Sequence, residues 1–200
     1  MNPDFERSSA SFRDPSGFIF RREGTLYRQV NQVYRAAYDK FMTGGLYDAL
    51  VKSGMLIAHS ESTTAPALPE LAYKVLQPQV VPFISYPYEW SFSQIKDAAL
   101  LTLSAARLGL EKGMLLKDAS AYNVQFINGK PILIDTLSFD NYKEGAAWDG
   151  YRQFCQHFLA PLALASLVDI RLTQLLRVYI DGIPLDLAAQ LLPGKTAIGL

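Results

Sequence analysis

The chain has 200 residues, of which 50% are apolar and 12% aromatic, and its 19 Lys and Arg residues balance its 19 Asp and Glu residues. This length and composition predict a packed globular chain, as one substantial domain or two small lobes. A net charge of zero argues against nucleic-acid binding, which needs a basic surface, and the apolar runs are too short or too interrupted to span a membrane.

The cysteine content and the first residues favour a cytoplasmic protein. Cys155 is the single cysteine, so no intrachain disulfide can form, which is typical of a reducing compartment. The opening "MNPDFERSSASFRDPS" is polar and lacks the apolar segment of a signal peptide. We therefore expect a bacterial-type cytoplasmic protein.

The first half of the chain is predicted to be rich in strands after a flexible lead-in over residues 1–16. "GFIFRREGTLYRQV" predicts a hairpin with a polar turn at Arg22-Glu23-Gly24. Beyond Tyr27, apolar residues at spacings of three and four also fit a helix that ends at Gly44-Gly45. We then expect, in order, a helix at 46–52, a strand at 55–58, a loop at 60–71 and two strands within 72–90.

The second half is predicted to be mainly helical. Ser91 is suited to cap a long helix from Phe92 to about Lys112, which Gly113 would end. The strongest local signal is Asn128-Gly129 between apolar segments, which predicts a tight hairpin. Helices should follow at 148–167, at 170–179 and after Asp186. The expected fold is α+β, with a small antiparallel sheet over 17–90 and a helical lobe over 91–200.

Three polar residues between the long helix and the later helices form a spaced motif. Asp118 and Asn123 fit the pattern D-x-x-x-x-N, and Asp135 ends the apolar run Ile132-Leu133-Ile134. The Asn128-Gly129 hairpin would fold the segment after Asn123 back beside the one carrying Asp135. Asp and Asn also occur in loops simply because their side chains bond to turns, so a purely structural role remains an alternative.

In this order of elements, the sequence resembles the protein-kinase-like superfamily, and within it the aminoglycoside phosphotransferase and choline kinase branch. The resemblance is strongest over residues 83–139. It implies that Asp118 is the catalytic carboxylate, which orients and deprotonates a hydroxyl group. It also implies that Asn123 and Asp135 hold magnesium, which prefers oxygen ligands, and that ATP is the second cofactor.

The same resemblance implies a nucleotide site, and this sequence departs from the family in parts of it. The linker "FISYPYEW" (83–90) would meet the adenine, with Tyr86 and Tyr88 beside it. Lys74 is the leading candidate for the phosphate-binding cation, ahead of Lys52 and Arg28. However, Leu116 stands where the family usually has His, Asp135 lacks the usual aromatic or glycine neighbour, and no glycine-rich loop is present. These departures predict a module with weak or no phosphotransferase activity.

A second resemblance covers nearly the whole chain. The strings "DASAYNVQ" and "IDTLSF" are similar to the N-terminal region of bacterial class I SAM-dependent methyltransferases, some of them described as nodulation proteins. This resemblance implies a leading module that precedes a Rossmann-like domain. The 200 residues contain no strand followed by a Gly-x-Gly cluster, so SAM would bind only to a further domain.

Two functions therefore remain open. The first is a non-catalytic or weakly active module of a methyltransferase system, which binds nucleotide, substrate or a C-terminal methyltransferase domain. The second is a Mg/ATP-dependent phosphotransferase acting on a small hydroxyl-bearing molecule. Other motifs point to no further site, because "PGKT" (193–196) lacks the first glycine of a phosphate loop. Cys155 and His157, two residues apart on a helix, would face different directions.

Overall fold

The computed structural model describes residues 5–7 and 14–194 and has an α+β fold with a small antiparallel sheet. Most of the predicted flexible lead-in, at residues 1–4 and 8–13, lies outside the described residues. The strands are β1 Glu6–Arg7, β2 Gly17–Arg22, β3 Thr25–Asn31, β4 His59–Ser62, β5 Ala72–Pro78, β6 Met114–Leu116, β7 Val124–Ile127, β8 Lys130–Leu133 and β9 Phe139–Asn141. The helices are α1 Arg35–Thr43, α2 Leu46–Lys52, α3 Phe92–Glu111, α4 Tyr151–Phe154, α5 Ala160–Leu167, α6 Leu175–Val178 and α7 Leu185–Leu191.

The five-stranded sheet has the order β1-β2-β3-β5-β4, and all neighbouring strands are antiparallel. The predicted β2–β3 hairpin is confirmed, and its turn residues Glu23 and Gly24 have φ angles of 50° and 78°. The segment after Tyr27 stays extended to Asn31, forms a 3-10 turn at Gln32–Tyr34 and becomes α-helical at Arg35. The apolar spacing beyond Tyr27 was compatible with a strand or a helix. Pairing of β3 with β5 makes this segment a strand.

Two strand predictions in the first half are wrong in position. The strand expected at 55–58 lies four residues later, at His59–Ser62, and overlaps the start of the loop predicted at 60–71. The second strand expected before Trp90 is absent, and a short 3-10 turn at Pro87–Glu89 occupies part of that segment. Prolines at 78, 82 and 87 remove backbone donors there, so the segment is unsuited to continuous strand pairing.

The second half follows the prediction closely up to the hairpin. Ser91 caps α3 with Gln94 as its reciprocal partner, and Gly113 follows the helix with a φ of 70°. Strand β6 pairs with β9, and β7 pairs with β8 across the Asn128-Gly129 turn. Both turn residues have positive φ angles, of 52° and 76°, which is the geometry that favours this dipeptide.

The later helices are more broken than the sequence predicts. The helix expected at 148–167 begins at Tyr151 and contains a π-helical turn at Cys155–Leu159. The carbonyl of Gln156 in that turn accepts a hydrogen bond of 3.0 Å from the Ile183 amide. The helix expected at 170–179 is a 3-10 turn at Ile170–Gln174 followed by the single turn of α6. Bonds to the α6–α7 connection therefore interrupt the regular helix.

One large apolar cluster joins the two halves of the chain. Phe41 of α1 stacks on Phe139 of β9 with ring centroids 5.4 Å apart, and both side chains are fully buried. The same cluster includes Leu50, Ile95, Met114, Leu133 and Phe158. Of the helices in the described part of the chain, none combines the length and apolar character that crossing a membrane requires.

Candidate functional site

The Asp118 carboxylate lies in a short loop whose backbone is fixed by the segment around Ser138. The amide of Lys117 donates to the Ser138 carbonyl at 2.8 Å. The Asp118 Oδ1 atom accepts from the Ser120 amide at 3.1 Å, and the Ser120 hydroxyl accepts from the Tyr122 amide at 3.2 Å. Asp118 is half-buried and takes part in no ion pair among the described residues. Its bonds are those of a local turn.

Two residues outside the motif hold this loop in place. The indole Nε1 of Trp148 donates to the Leu116 carbonyl at 2.6 Å, and the Ala119 amide donates to Gln153 Oε1 at 2.7 Å. Sequence reasoning missed both residues as part of the site. Both residues lie more than 30 positions from the loop, so no local sequence pattern predicts their contacts with it. The one general signal is that a buried tryptophan N–H usually finds an acceptor.

Asn123 links the loop to the segment that carries Asp135. Its carbonyl accepts from the Ile134 amide at 2.9 Å, and its side-chain Nδ2 donates to the Ser138 hydroxyl at 3.3 Å. The structure thus brings the segments of Asp118, Asn123 and Asp135 together, as the hairpin predicted. Their roles as catalytic residue and metal ligands remain predictions.

Asp135 is paired with an arginine from the five-stranded sheet. Its Oδ1 atom lies 2.6 Å from Arg28 Nη2, and the two side chains are only 16% and 10% exposed. The same oxygen accepts from the Leu137 amide at 2.8 Å. Arg28 lies on β3, 107 residues earlier, and its Nε is buried with no hydrogen-bond partner among the described residues. Sequence reasoning had ranked Arg28 behind Lys74.

A polar network that is partly buried continues from Asp135 through its neighbour Thr136. The His59 ring lies 3.5 Å from the Thr136 hydroxyl through Nδ1 and 3.5 Å from the Tyr38 hydroxyl through Nε2. The Tyr38 hydroxyl in turn donates to Glu61 at 3.3 Å. Burial lowers the pKa of His59 to about 4, against the opposing effect of the Glu61 carboxylate. The imidazole is therefore neutral at physiological pH.

Lys74 does not contact Asp135. Its ammonium lies 2.6 Å from Glu61 Oε2 on the neighbouring strand β4, and the side chain is 34% exposed. The hydrogen bond to Glu61 raises the pKa of Lys74 above its ordinary value. Lys74 also lines an open cavity of about 450 Å³ next to the loop between β4 and β5. The cation that meets Asp135 is Arg28.

The two tyrosines predicted beside the nucleotide form a stacked pair. The ring centroids of Tyr86 and Tyr88 are 5.5 Å apart, with planes 6° from parallel. The Arg177 guanidinium lies 5.5 Å from the centre of the Tyr88 ring, and Tyr122 lies 6.5 Å from Tyr86. Tyr86 is 44% exposed. The pair thus connects the linker with the Asp118 loop and with α6, and its role in binding a nucleotide is untested.

His157, in the π-helical turn, is a buried histidine near the loop. It is 2% exposed, packs edge-on against Tyr122 at 6.1 Å, and its Nδ1 has no hydrogen-bond partner among the described residues. Burial lowers the pKa of His157 to about 4, although Asp118 and Asp181 act in the opposite direction. Across the described residues, three or more His, Cys, Asp or Glu side chains nowhere form a group suited to a metal ion.

Comparison with known proteins finds one informative similarity. No model of a known protein family matches the sequence. The chain is 38% identical over 182 residues to the nodulation protein NoeA of Rhizobium meliloti (strain 1021). The similarity covers 89% of this chain but only 37% of that protein, so the chain spans about a third of the length of its curated relative.

Proposed function

We propose that the chain is a kinase-like module without phosphotransferase activity that belongs to a SAM-dependent methyltransferase system. The similarity to part of a much longer nodulation protein supports a modular role. The methyltransferase assignment rests on the resemblance of the "DASAYNVQ" and "IDTLSF" strings. In this proposal the SAM-binding domain is a partner and lies outside these 200 residues.

The kinase-like part of the proposal is supported by the order of the polar residues on the fold. In protein kinases the phosphate-binding lysine lies on the third strand, and the catalytic-loop Asp and Asn precede the second, metal-binding Asp. Here the third strand carries Arg28, the loop after β6 carries Asp118 and Asn123, and Asp135 follows β8. Arg28 and Asp135 lie close enough to form an ion pair.

The ion pair between Arg28 and Asp135 is the main observation in support of a module without phosphotransferase activity. The resemblance assigns the Asp135 carboxylate to magnesium, yet here it is bonded to a guanidinium and to the Leu137 amide. Separating a buried ion pair costs about 3–5 kcal/mol when one partner is left uncompensated. A magnesium ion at Asp135 would lie beside the positive charge of Arg28 and compete with it for the same carboxylate, so the proposed module does not use this acid as a metal ligand.

The charges around the cleft also disfavour a triphosphate. Lys117, next to Asp118, is engaged with the Ser16 hydroxyl at 3.0 Å and lies 4.8 Å from the centre of the Tyr34 ring. Burial raises the pKa of the Tyr34 hydroxyl, and the nearby carboxylates of Asp135, Asp140 and Asp14 raise it further. These three carboxylates outnumber the two cations beside Tyr34, which are Arg28 and Lys117. The proposed ligand is therefore a neutral, hydroxyl-bearing substrate or the partner domain.

The test compares binding of ATP with and without magnesium. We expect ATP with magnesium to raise the melting temperature of the wild-type chain no more than ATP with EDTA does, since a ligand stabilises only the state that binds it. SAM alone should leave the melting temperature unchanged. The alternative function, a Mg/ATP-dependent phosphotransferase, predicts a magnesium-dependent stabilisation that Asp135→Asn abolishes. That result, together with phosphate transfer lost in Asp118→Ala, would overturn the proposal.

A further inference from the structure

The long helix α3 carries leucines on its outer side and small residues on its inner side. Besides Ile95, the buried residues of α3 are four alanines, Thr102 and Gly109. Leu100, Leu103 and Leu110 face outward and are 54%, 41% and 45% exposed. A surface helix normally has the reverse arrangement, with large apolar side chains facing the core and polar side chains facing solvent.

Close packing accounts for the inner side of α3 but not for the outer side. A Cβ atom at Gly109 would lie 3.1 Å from the Met114 carbonyl oxygen and 3.2 Å from a ring carbon of Phe139. Larger side chains therefore do not fit between α3 and this part of the core. On the outer side there is no such limit, and Lys, Glu or Gln would form the helix about as well as Leu.

The three leucines lie on one stripe of the helix. With Arg107 they occupy positions 100, 103, 107 and 110, which is the alternating spacing of three and four residues found at helix–helix contacts. The Arg107 side chain is 81% exposed. Single exposed leucines need no explanation, but an aligned set on a regular helix of 20 residues is typical of a contact surface. We call these four residues the outer stripe.

We infer that the outer stripe is the surface on which a second copy of the chain docks, with the two α3 helices packed antiparallel about a twofold axis. A twofold contact requires a surface that is complementary to itself. In an antiparallel pair, Leu100 of one copy faces Leu110 of the other, at both ends of the contact. Between them, Leu103 packs on the aliphatic part of Arg107, whose guanidinium stays in solvent.

The charges beside the leucines favour the antiparallel direction. Lys96 and Glu111 are both exposed and flank the outer stripe at opposite ends. Antiparallel packing brings Lys96 of one copy near Glu111 of the other, so opposite charges meet twice. Parallel packing would instead place Lys96 against Lys96 and Arg107 against Arg107, which is unfavourable. This self-complementarity is the reason for choosing a second copy over another protein as the occupant.

Sedimentation velocity of the full chain over a series of concentrations tests the inference. A contact between two single helices is at the small end of specific interfaces, so we expect a weak, reversible dimer. Leu103→Glu places an unpaired carboxylate in the centre of the contact and should raise the dissociation constant by about tenfold or more. The matched control is Leu167→Glu, on α5, because Leu167 is 47% exposed and lies outside the outer stripe. This control should dimerise like the wild-type chain.

A charge reversal tests the direction of the two helices. Lys96→Glu and Glu111→Lys should each weaken the dimer, because each places like charges together. The double variant Lys96→Glu/Glu111→Lys should recover the wild-type dissociation constant. A dimer that is weaker in the double variant than in both single variants would contradict the antiparallel arrangement.

Two further outcomes would overturn the inference as a whole. One is a wild-type chain that stays monomeric at every concentration, which would leave the outer stripe to a different protein. The other is a dimer that Leu103→Glu does not weaken. These measurements need no nucleotide, magnesium or SAM, so their results are independent of the proposed function.

Discussion

Asp135 and Asp118 lie in neighbouring segments, yet their side chains have different bonding partners and different surroundings. Asp135 is bonded to an arginine that lies 107 residues earlier in the chain, and both side chains are nearly buried. Asp118 is bonded to an amide two residues away and keeps no ion-pair partner among the described residues. Both acids come from the same motif. The difference shows that Asp135 belongs to the structural framework, while Asp118 makes the contacts of a local turn.

The largest expected effect comes from breaking the buried pair. Arg28→Met should lower the free energy of unfolding by about 3–5 kcal/mol, because it leaves the Asp135 carboxylate buried without its counter-charge. The measurement is urea denaturation at pH 7, with Arg28→Met/Asp135→Leu as the double variant. Since the double variant removes both charges, it should recover much of the loss.

A matched control exists on the surface. Arg171 and Asp169 form a pair with the same 2.6 Å separation, but the arginine side chain is 86% exposed. Arg171→Met should change the stability little, because solvent screens exposed pairs. If Arg28→Met and Arg171→Met lowered the free energy of unfolding equally, burial would not strengthen the Arg28–Asp135 pair relative to an exposed pair.

The second expected effect is a dependence of stability on pH. It involves His59, which lies near Asp135, and His157, which lies near Asp118. Burial lowers the pKa of both His59 and His157 from 6.5 to about 4. In the range from 6.5 down to 4 the unfolded chain therefore binds protons that the folded chain does not. The free energy of unfolding should be highest above pH 6.5 and fall as the pH drops towards 4. For His157 the loss should be about 2–3 kcal/mol.

The measurement is urea denaturation at several pH values between 7 and 4. His157→Gln and His59→Gln should each flatten the dependence, and the double variant should flatten it most. A slope that survives in the double variant would assign the effect to other groups. If His59→Gln alone removed the slope, the dependence would belong to the Asp135 side only.

A smaller effect should come from loosening the Asp118 loop without touching Asp135. Trp148→Phe keeps the aromatic ring but leaves the buried Leu116 carbonyl without its donor, which should cost about 1–3 kcal/mol. Hydrogen exchange should increase at the amides of residues 117–120, while the Leu137 amide beside Asp135 stays protected. Equal loss of protection at both places would show that the two regions unfold together.

The smallest effect is expected at Asp118 itself. Asp118→Ala removes a single turn hydrogen bond from a half-buried side chain, so the loss should be about 1 kcal/mol or less. Asp135→Ala should cost clearly more, since it leaves Arg28 unpaired. Thermal denaturation of the two variants gives the ranking, and the reverse order would contradict the division between the two acids.

Local sequence signals predicted the elements whose geometry is set by neighbouring residues. The Ser91 cap, the Asn128-Gly129 turn and the helix at 46–52 appear as expected, because caps and tight turns depend on a few consecutive residues. Strand β4 and the broken helices after 150 were misplaced. Their limits depend on pairing with β5 and on bonds to the α6–α7 connection, which no local pattern encodes.

The candidate site also has a part that the sequence predicted and a part that it did not. The hairpin and the motif spacing were enough to place Asp118, Asn123 and Asp135 in adjacent segments. The sequence did not indicate that Arg28, rather than Lys74, would meet Asp135, because β3 and β5 could each supply a cation and only their order in the sheet decides. Trp148, Gln153 and Gln125 were missed because each bonds to backbone far away in the chain.

The sequence alone thus determined the α+β composition, the long capped helix, the tight hairpin and the spacing of the three polar residues. The tertiary structure decided which of those residues are used internally. Arg28 neutralises Asp135 and the Gln125 side chain bonds to the Ser85 backbone, and both contacts join residues at least 40 positions apart. A charge or an amide is stabilised by whichever group the fold brings within hydrogen-bond distance, and chain spacing does not specify that group.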